Sequence, residues 1–279
     1  MNQIGVASVM MHLNITKRDS VDVPLVRHMI LNSLRMYRQM FHEEYGELVI
    51  CYDSRHYWRR DFFPEYKASR RKTRETSGHD WNDIFDCLNI VKEELIEFFP
   101  YKVLEVYGAE ADDIIAALCL ELEFDNGKTL ILSGDKDFVQ LQKYTNVSQY
   151  SPITKKFVNG IDPHEYLYEH ILKGDVSDGV PNVLSPDNTF VDGLRQRPLS
   201  KRKISSWAGP MCEQMLPNDE TKRNYQRNRK LIDLKESPHE LFLECLESYH
   251  KAPEGDRSKL LNYFINNKLR ELMDNIGDF

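Results

Sequence analysis

Four short clusters of acidic residues are the part of this sequence that is best suited to chemistry. Three of them lie where apolar, strand-like segments end or where helices begin, and the ligand sites of parallel α/β sheets lie beyond such strand ends. Clustered carboxylates repel one another unless cations neutralise them, and Mg²⁺ is usually bound by a few carboxylates together with water and substrate phosphates. The pattern therefore predicts metal-assisted phosphodiester chemistry. The eight acidic residues are Asp53, Glu110, Asp112, Asp113, Asp135, Asp137, Asp175 and Asp178.

Each acidic cluster also has an ordinary structural explanation when it is taken alone. The cluster at 110–113 opens a predicted helix, where acidic residues interact favourably with the helix dipole and cap the first turn. The Gly-Asp step before residue 136 is common turn chemistry, and the cluster at 175–178 could be a loop that ends a helix. The combination is more specific, because random loops seldom place acidic residues at the ends of successive buried strands.

A basic segment at residues 55–74 interleaves aromatic side chains with Lys and Arg. It holds eight basic and two acidic residues, although the whole chain carries a net charge of −7. Cations attract phosphates and aromatic rings stack on the bases of single strands, so this segment is predicted to bind nucleic acid. An exposed, solvated charged loop is the simpler alternative. The predicted contacts are Arg55, Tyr57, Trp58, Arg59, Arg60, Tyr66, Arg71, Lys72 and Arg74.

Two weaker basic stretches follow, around Arg202 and Lys203 and at residues 222–230. Either could follow the backbone of a duplex, although the second could equally be a solvated helix face. We predict that Arg202 and Lys203 contact nucleic acid.

Several other classes of protein fit the composition poorly. The five cysteines are scattered and form no CxxC pair, which indicates a reduced, cytosolic protein. No apolar run approaches the roughly 18 residues of a membrane span, and no signal-peptide pattern opens the chain. The nine histidines form no HxxxH or HxH pair, which argues against a zinc site. The sequence contains no Walker A loop, so ATP hydrolysis is not supported.

Strand-like and helix-like segments alternate through the first 160 residues, which predicts an α/β fold. We expect a mainly parallel central sheet that is flanked by helices. A helical region should follow from about residue 161, although residues 184–218 are too rich in Pro, Gly and Ser to assign. The predicted helices cover 24–45, 81–99, 110–123, 162–174 and 219–275, and the predicted strands cover 47–54, 101–108 and 128–135, with a hairpin near 147–158.

The motifs WRRDFFPEYKASR, EADD, SGDKDFVQL and GDVSDGVPN, in this order and spacing, resemble the structure-specific 5′ nucleases. This family includes bacteriophage flap endonucleases, the 5′-nuclease domain of bacterial DNA polymerase I and the eukaryotic flap endonucleases. The similarity runs nearly end to end and is greatest to the T4-type bacteriophage branch. It implies a PIN-like core over residues 1–160 with a helical arch at about 55–80. It also implies a helical region over 161–279 with a modified helix-hairpin-helix-like element.

The resemblance also assigns roles to individual residues. It implies two Mg²⁺ ions, for which Mn²⁺ may substitute in the family, and it implies that Lys67 and Arg70 grip the scissile phosphate as catalytic residues. The metal ligands that it implies are Asp53, Glu110, Asp112 and Asp113 at one site, Asp175 and Asp178 at the other, and Asp135 and Asp137 between them.

The chain departs from the family pattern at two places. The family has an aspartate at the end of a first strand, just before the segment that matches residues 1–10. We expect that strand and its aspartate to be missing here, through a truncated or misassigned start or through natural variation. The glycine-rich hairpin that follows the last acidic motif in the family is replaced by VPNVLSPDNTFVDGLRQRP.

By resemblance, we expect a Mg²⁺-dependent 5′→3′ exonuclease and flap endonuclease. It would remove RNA primers and adjacent DNA from lagging-strand fragments during phage replication, as a monomer in the host cytoplasm and without contact with a membrane. Its expected partners are 5′-ended, flapped or forked DNA, RNA–DNA duplex, a single-stranded-DNA-binding protein and a sliding clamp. Two alternatives stay open: a flap- or fork-binding protein that lacks one metal ligand and does not cleave, and a Mg²⁺-dependent phosphatase, which leaves the basic segment unexplained.

Overall fold

A computed structural model describes residues 1–17, 20–124, 127–253 and 255–279. The described strands are β1 (Val49–Cys51), β2 (Lys102–Leu104), β3 (Thr129–Leu132), β4 (Val147–Ser151) and β5 (Lys156–Phe157). The described α-helices are α1 (Asn2–Thr16), α2 (Val23–Tyr45), α3 (Trp58–Phe62), α4 (Ala68–Thr76), α5 (Trp81–Phe98), α6 (Ala111–Phe124), α7 (Pro163–Lys173), α8 (Lys201–Trp207), α9 (Cys212–Met215), α10 (Asp219–Ile232), α11 (His239–Lys251), α12 (Leu260–Asn266) and α13 (Arg270–Met273). Among these helices, none is both long and apolar enough to cross a membrane.

One compact unit carries the parallel pair β1–β2, in which Ile50 lies opposite Val103. Helices α1, α2 and α5 pack against one another in this unit. Its hydrophobic core includes Ile30, Leu95 and Phe279, which are almost completely buried. Helix α2 begins where Asp22 accepts a hydrogen bond from a backbone amide of the first turn, as expected of an N-cap aspartate. The unit is made of three chain segments: Met1–Asp53, Gly78–Val106 and Leu246–Phe279.

A second compact unit is made of Ser54–Ser77 and Tyr107–Cys245. Strands β3 and β4 pair in parallel, and the short strand β5 adds to β4 in the antiparallel sense. A 3₁₀ helix at Lys136–Lys143 follows β3, and its residues Phe138 and Leu141 are buried in one of the cores of the unit. Helices α7 and α10 pack against each other and contribute to another core. This unit contains nearly all of the residues that were predicted to do chemistry.

The parallel pairing of strands is confirmed, and the predicted helices 24–45, 81–99, 110–123 and 162–174 are found. The strands are shorter than predicted, helix α1 was not among the predicted helices, and the predicted helical stretch 219–275 consists of α10, α11, α12 and α13. Among the described residues, the strands pair as two sheets, β1–β2 and β3–β4–β5. The basic segment contains two short helices, α3 and α4, and the unassigned region 184–218 contains α8 and α9. The predicted domain boundary near residue 160 stays a prediction.

Candidate active site

Two groups of acidic side chains stand out in the second unit, and they differ in what surrounds them. The first group, the cation-paired cluster, combines acidic residues with the base of the basic segment. The second group, the His170 cluster, follows β3 and α7. The cation-paired cluster consists of Arg59, Tyr66, Lys67, Arg70, Glu110, Asp113 and Asp178, and the His170 cluster consists of Asp135, Asp137, His170 and Asp175.

Arg59 forms the buried centre of the cation-paired cluster. Its side chain is 2% exposed, and its Nη1 donates to Glu110 Oε2 at 2.9 Å and to Asp113 Oδ2 at 2.8 Å. Its Nη2 donates to Asp113 Oδ1 at 2.9 Å, and its Nε donates to the Leu231 carbonyl at 2.9 Å. A planar guanidinium suits such a fork, because it donates from fixed directions. Arg59 is thus almost completely buried, and its predicted contact with nucleic acid stays a prediction.

Asp113 has both of its carboxylate oxygens committed within the protein. Besides Arg59, Ser237 Oγ donates to Asp113 Oδ1 at 2.5 Å, and the Glu110 amide donates to Oδ2 at 2.9 Å. Burial alone would raise the pKa of Asp113, but the charge and hydrogen bonds of Arg59 lower it below its ordinary value. Asp113 therefore stays ionised while it fixes the first turn of α6. Both oxygens of Asp113 are paired within the protein, and its predicted role as a metal ligand stays a prediction.

Lys67 and Arg70 meet two of the predicted metal ligands. Lys67 Nζ lies 2.5 Å from Glu110 Oε1 and 3.3 Å from Asp178 Oδ2, and Arg70 Nη2 lies 2.5 Å from Asp178 Oδ1. The Tyr66 hydroxyl lies between the same two acidic residues, 3.1 Å from Glu110 Oε2 and 2.9 Å from Asp178 Oδ2. The predicted basic and acidic residues are thus brought together. Tyr66 is buried, so its ring is not exposed for the predicted stacking on a base.

Two tight backbone contacts hold this arrangement in place. The Lys67 amide donates to the Asp178 carbonyl at 2.7 Å, and Lys67 itself has a left-handed backbone with φ of 55°. Gly179, the residue after Asp178, has a φ of +75°. A Cβ on Gly179 would lie 3.0 Å from the Glu65 carbonyl oxygen. The close approach and positive φ favour glycine, because a side chain would be strained at that position. The loops that carry the Lys67 ammonium and the Asp178 carboxylate are therefore joined through their backbones.

The His170 cluster brings one imidazole between two carboxylates. His170 Nδ1 lies 3.4 Å from Asp137 Oδ1, and His170 Nε2 lies 3.4 Å from Asp175 Oδ2. One potential ligand atom from each of the three residues lies within 4.8 Å of the other two. Such a set of two carboxylates and one imidazole fits a divalent cation. The cluster lines an open cavity of about 380 Å³, which Asp135 also lines.

Helix α7 and the 3₁₀ helix after β3 position the residues of the His170 cluster. Helix α7 ends at Gly174, where φ is 68° and a Cβ would lie 2.3 Å from the Val180 carbonyl oxygen. Asp175 follows, and its Oδ1 accepts hydrogen bonds from the Ser177 amide at 2.7 Å and the Ser177 hydroxyl at 2.6 Å. Its Oδ2 faces His170. On the other side, the Asp137 amide donates to Asp135 Oδ1 at 3.1 Å, which caps the 3₁₀ helix.

The charges in the His170 cluster are poorly balanced. Burial and the charges of Asp135 and Asp175 raise the pKa of Asp137 to about 7, although the neighbouring His170 acts in the opposite sense. Burial alone would lower the pKa of His170, but its contact with Asp175 and the charge of Asp137 raise it above the ordinary value. The carboxylates of Asp135, Asp137 and Asp175 thus share the imidazole of His170 as a counter-charge. A divalent ion would reduce the repulsion among them.

The remaining predicted residues are distributed as follows. Asp53 is exposed just after β1 in the first unit, Asp112 is half-buried in the first turn of α6, and Asp135 is exposed. Trp58 lies beside the guanidinium of Arg59 and 5.3 Å from Lys230 Nζ, so protein cations already cover much of its ring. Tyr57 is half-buried, and the Lys72 side chain lies outside the described part. The exposed predicted contacts are Arg55, Arg60, Arg71, Arg74, Arg202 and Lys203.

His170 was not predicted, because no second histidine lies at motif spacing from it. The available signal was weaker: a histidine in the last turn of α7, five residues before Asp175, in HILKGD. The sequence also gave no reason to predict different roles for Arg59 and Arg60, although Arg59 is buried and Arg60 is exposed.

Comparison with known proteins agrees with this architecture. Residues 10–170 match the N-terminal resolvase-like domain of 5′-3′ exonucleases, and residues 163–279 match the C-terminal region of T4 RNase H. The chain is 32% identical to the ribonuclease H of Enterobacteria phage T4 over 288 residues, which cover 100% of this chain and 93% of that protein. It is 30% identical to a 5′-3′ exonuclease of Buchnera aphidicola, with 55% of this chain and 54% of that protein covered, so it spans about half of that relative.

The fold is also similar to that of a solved flap endonuclease. A bacteriophage T5 flap endonuclease, crystallised as a pseudo-enzyme-product complex with DNA and metal ions, matches with a TM-score of 0.59. The match covers 78% of this chain and 89% of that one at 18% identity, which supports the fold alone. The fold, the two matching domains and the full-length relative agree with the predicted resemblance. The chain belongs to the 5′-3′ exonuclease family and is a nuclease.

Proposed function

We propose that this nuclease hydrolyses phosphodiester bonds near the 5′ ends of flapped, forked or nicked DNA and of RNA–DNA duplexes, with two divalent metal ions. The observation that carries the proposal is the direct pairing of Lys67 and Arg70 with Glu110 and Asp178. A site that holds both cations for a phosphate and carboxylates for a metal contains the two charges that phosphodiester hydrolysis needs. The names of the phage T4 and T5 relatives support RNA–DNA hybrids and flaps as substrates.

The residues that hold the metal ions fall into the two clusters. Glu110, Asp112 and Asp178 would contribute to one ion, and Asp137 and Asp175 to the other, with Asp135 beside it. This grouping differs from the one that the resemblance implies, which puts Asp178 with Asp175, because Asp178 shares Lys67 with Glu110. Mg²⁺ suits the carboxylate oxygens of the first cluster. When bound, the ions supply Lewis-acid activation of water and stabilise the charge that develops on the phosphate. The role of Asp53 as a ligand stays a prediction from the resemblance. Asp113 is a positioning residue, because its oxygens are already occupied by Arg59, Ser237 and the Glu110 amide.

Lys67 and Arg70 would stabilise the charge of the phosphate in addition to neutralising the acidic residues. Burial by itself would lower the pKa of Lys67, but the charges of Asp178 and Glu110 raise it well above the ordinary value, so the ammonium stays charged. If Glu110 and Asp178 held a metal ion, the Lys67 ammonium and the Arg70 guanidinium would be available to bind a phosphate. Both would then stabilise the charge of the reacting group, an effect that is worth about 10²- to 10³-fold in rate when one preorganised donor is removed.

The test is cleavage of a 5′-labelled flap and a 5′-labelled nicked duplex by the full chain in Mg²⁺. Short 5′ products are expected, with a loss of about 10²-fold or more in rate for Lys67→Ala. The matched control is Lys156→Ala, which alters an exposed lysine of β5 and should keep the rate. Tight binding of the flap without any product from the unaltered chain, in Mg²⁺ or Mn²⁺, would instead support the flap-binding alternative.

The wider role follows from the same proposal. In phage replication, the enzyme would remove RNA primers and adjacent DNA from lagging-strand fragments in the host cytoplasm, in contact with a single-stranded-DNA-binding protein and a sliding clamp. A 5′-labelled RNA–DNA hybrid beside the matched DNA duplex measures the preference. Equal rates on both, or faster cleavage of DNA, would remove the support for a role in primer removal.

A further inference from the structure

We infer that His170 is a direct ligand of the divalent cation that Asp137 and Asp175 hold, and that this site therefore prefers a first-row transition ion to Mg²⁺. The inference rests on the proposed function, because this ion would be one of the two that the nuclease uses. It adds a residue and a metal preference to the site. The chemistry concerned is that of Mn²⁺, Co²⁺ or Zn²⁺, all of which accept imidazole nitrogen.

One atom from each of Asp137, His170 and Asp175 lies within 4.8 Å of the other two, and the gap from a ring nitrogen to its facing carboxylate has the length expected between two ligands of one ion. The gaps from the imidazole nitrogens to Asp137 Oδ1 and Asp175 Oδ2 are both 3.4 Å. Two ligands that each bond an ion at about 2.1 Å lie roughly 3.0 to 3.4 Å apart in octahedral or tetrahedral geometry. One imidazole nitrogen can bond the ion, while the other donates its proton to the second carboxylate. Such carboxylate–histidine–metal arrangements orient the ring.

The imidazole has an unmet bonding requirement inside the protein. His170 Nδ1 is buried and has no hydrogen-bond partner among the described residues, although Asp137 faces it. A buried polar atom without a partner is costly to the fold. The ring also makes a T-shaped contact with Tyr166 at a centroid distance of 5.5 Å. A metal ion, or a proton shared with a ligating carboxylate, would satisfy this nitrogen.

The carboxylate of Asp175 has an oxygen available for such an ion. The Ser177 amide and hydroxyl occupy only one oxygen of Asp175, and the other oxygen faces the imidazole. The cavity of about 380 Å³ at this position leaves room for water and for a phosphate oxygen to complete the coordination. The site thus offers one nitrogen and two oxygens, with open positions on the solvent side.

The two clusters should therefore differ in their choice of ion. The cation-paired cluster offers only carboxylate oxygens, which suit Mg²⁺. Mg²⁺ loses its water reluctantly and is held by oxygen, whereas imidazole favours transition ions. A competing reading is that protonated His170 is itself the cation between Asp137 and Asp175 and must leave when a metal ion binds. The two readings predict opposite effects on the affinity for Mn²⁺ when the imidazole is removed.

The decisive experiment is electron spin echo envelope modulation of Mn²⁺ bound to the full chain. Coupling to an imidazole nitrogen is expected in the unaltered chain and in His164→Gln, which removes an exposed histidine of the same helix. The coupling should be absent in His170→Gln. Because the signal is measured on the unaltered chain first, it does not depend on how well a variant folds. Bound Mn²⁺ without nitrogen coupling in the unaltered chain would overturn the inference.

Equilibrium titrations give the second readout. In His170→Gln, the affinity for Mn²⁺ and Co²⁺ at one site should fall roughly 10-fold or more, since even outer-shell partners of a metal typically change affinity 10- to 100-fold. The affinity for Mg²⁺ should change little. Unchanged or tighter Mn²⁺ binding in this variant would support the displaced-cation reading and overturn ligation by His170. Cleavage of the 5′ flap in Mg²⁺ is assayed separately: its absence in the unaltered chain counts against the proposed function, while the nitrogen coupling still decides the ligand.

Discussion

The two acidic clusters of the second unit solve the same electrostatic problem in different ways. In the cation-paired cluster, the permanent charges of Arg59, Lys67 and Arg70 neutralise Glu110, Asp113 and Asp178. In the His170 cluster, one imidazole faces several carboxylates, and the pKa of Asp137 rises to about 7 as a result of burial and the neighbouring acidic charges. The first cluster has its counter-charges on protein side chains in this structure, whereas the second has one imidazole among several carboxylates.

The difference teaches that clustered carboxylates do not share one role. Asp113 is held by three donors inside the protein, while Asp175 keeps one oxygen turned toward an open cavity. A carboxylate whose oxygens are saturated by buried donors stabilises the fold around the site. One that retains an oxygen can bind a metal ion. Predictions that break one cluster and spare the other test this distinction.

The largest effect is expected from Arg59→Ala. The substitution leaves Glu110 and Asp113 buried without their main counter-charge, and removing one partner of a buried ion pair typically costs about 3–5 kcal/mol. Chemical denaturation of the variant should show this loss in the free energy of unfolding. The adjacent, exposed Arg60→Ala is the control and should change stability by less than about 0.5 kcal/mol. Equal effects of the two substitutions would contradict the buried role of Arg59.

The next largest effect is expected from Gly174→Ala, which disturbs the His170 cluster. The backbone is left-handed there, and the new Cβ would meet the Val180 carbonyl oxygen at 2.3 Å. The loop that carries Asp175 must then move, at a cost of about 1–3 kcal/mol for the strained backbone alone. Thermal unfolding and Mn²⁺ titration should both show a loss.

Gly193→Ala is the matched control for that substitution, since its φ is +66° but nothing lies within 4 Å of the added Cβ. It should show only the cost of the positive φ and should leave Mn²⁺ binding intact. If both variants bound Mn²⁺ as tightly as the unaltered chain, the Gly174 contact would have no part in holding Asp175.

The regular elements could be predicted from the sequence because their signals are local. The apolar periodicity of residues 24–45 and the proline near its start predicted α2 at Val23–Tyr45 almost to the residue. The juxtaposition of Lys67 with the acidic residues was available only through the family resemblance. The family motifs predicted this juxtaposition, because composition and periodicity do not indicate which loops lie close together.

What could not be predicted depends on tertiary burial. Arg59 and Arg60 are adjacent in a helix of only five residues, which is too short for its periodicity to reveal the buried face. The sequence therefore gave both arginines the same role. The pairing of strands into two sheets and the approach of His170 to Asp137 are long-range events as well. A single histidine has no partner at motif spacing, so only the fold shows what it faces.

The smallest effect is expected from Ser237→Ala in the cation-paired cluster. The substitution removes the hydroxyl that donates to Asp113 Oδ1 at 2.5 Å, but Arg59 and the Glu110 amide still bind the carboxylate. A hydrogen bond to a charged group is worth about 1.5–3 kcal/mol, and the remaining donors should hold the loss near the lower end of that range. Urea unfolding measures it, with Ser206→Ala, an exposed hydroxyl, as the control. Mn²⁺ affinity should stay unchanged, because Asp113 holds α6 and Arg59 in place and does not bind the metal. A selective loss of metal binding at intact stability would instead return Asp113 to the set of ligands.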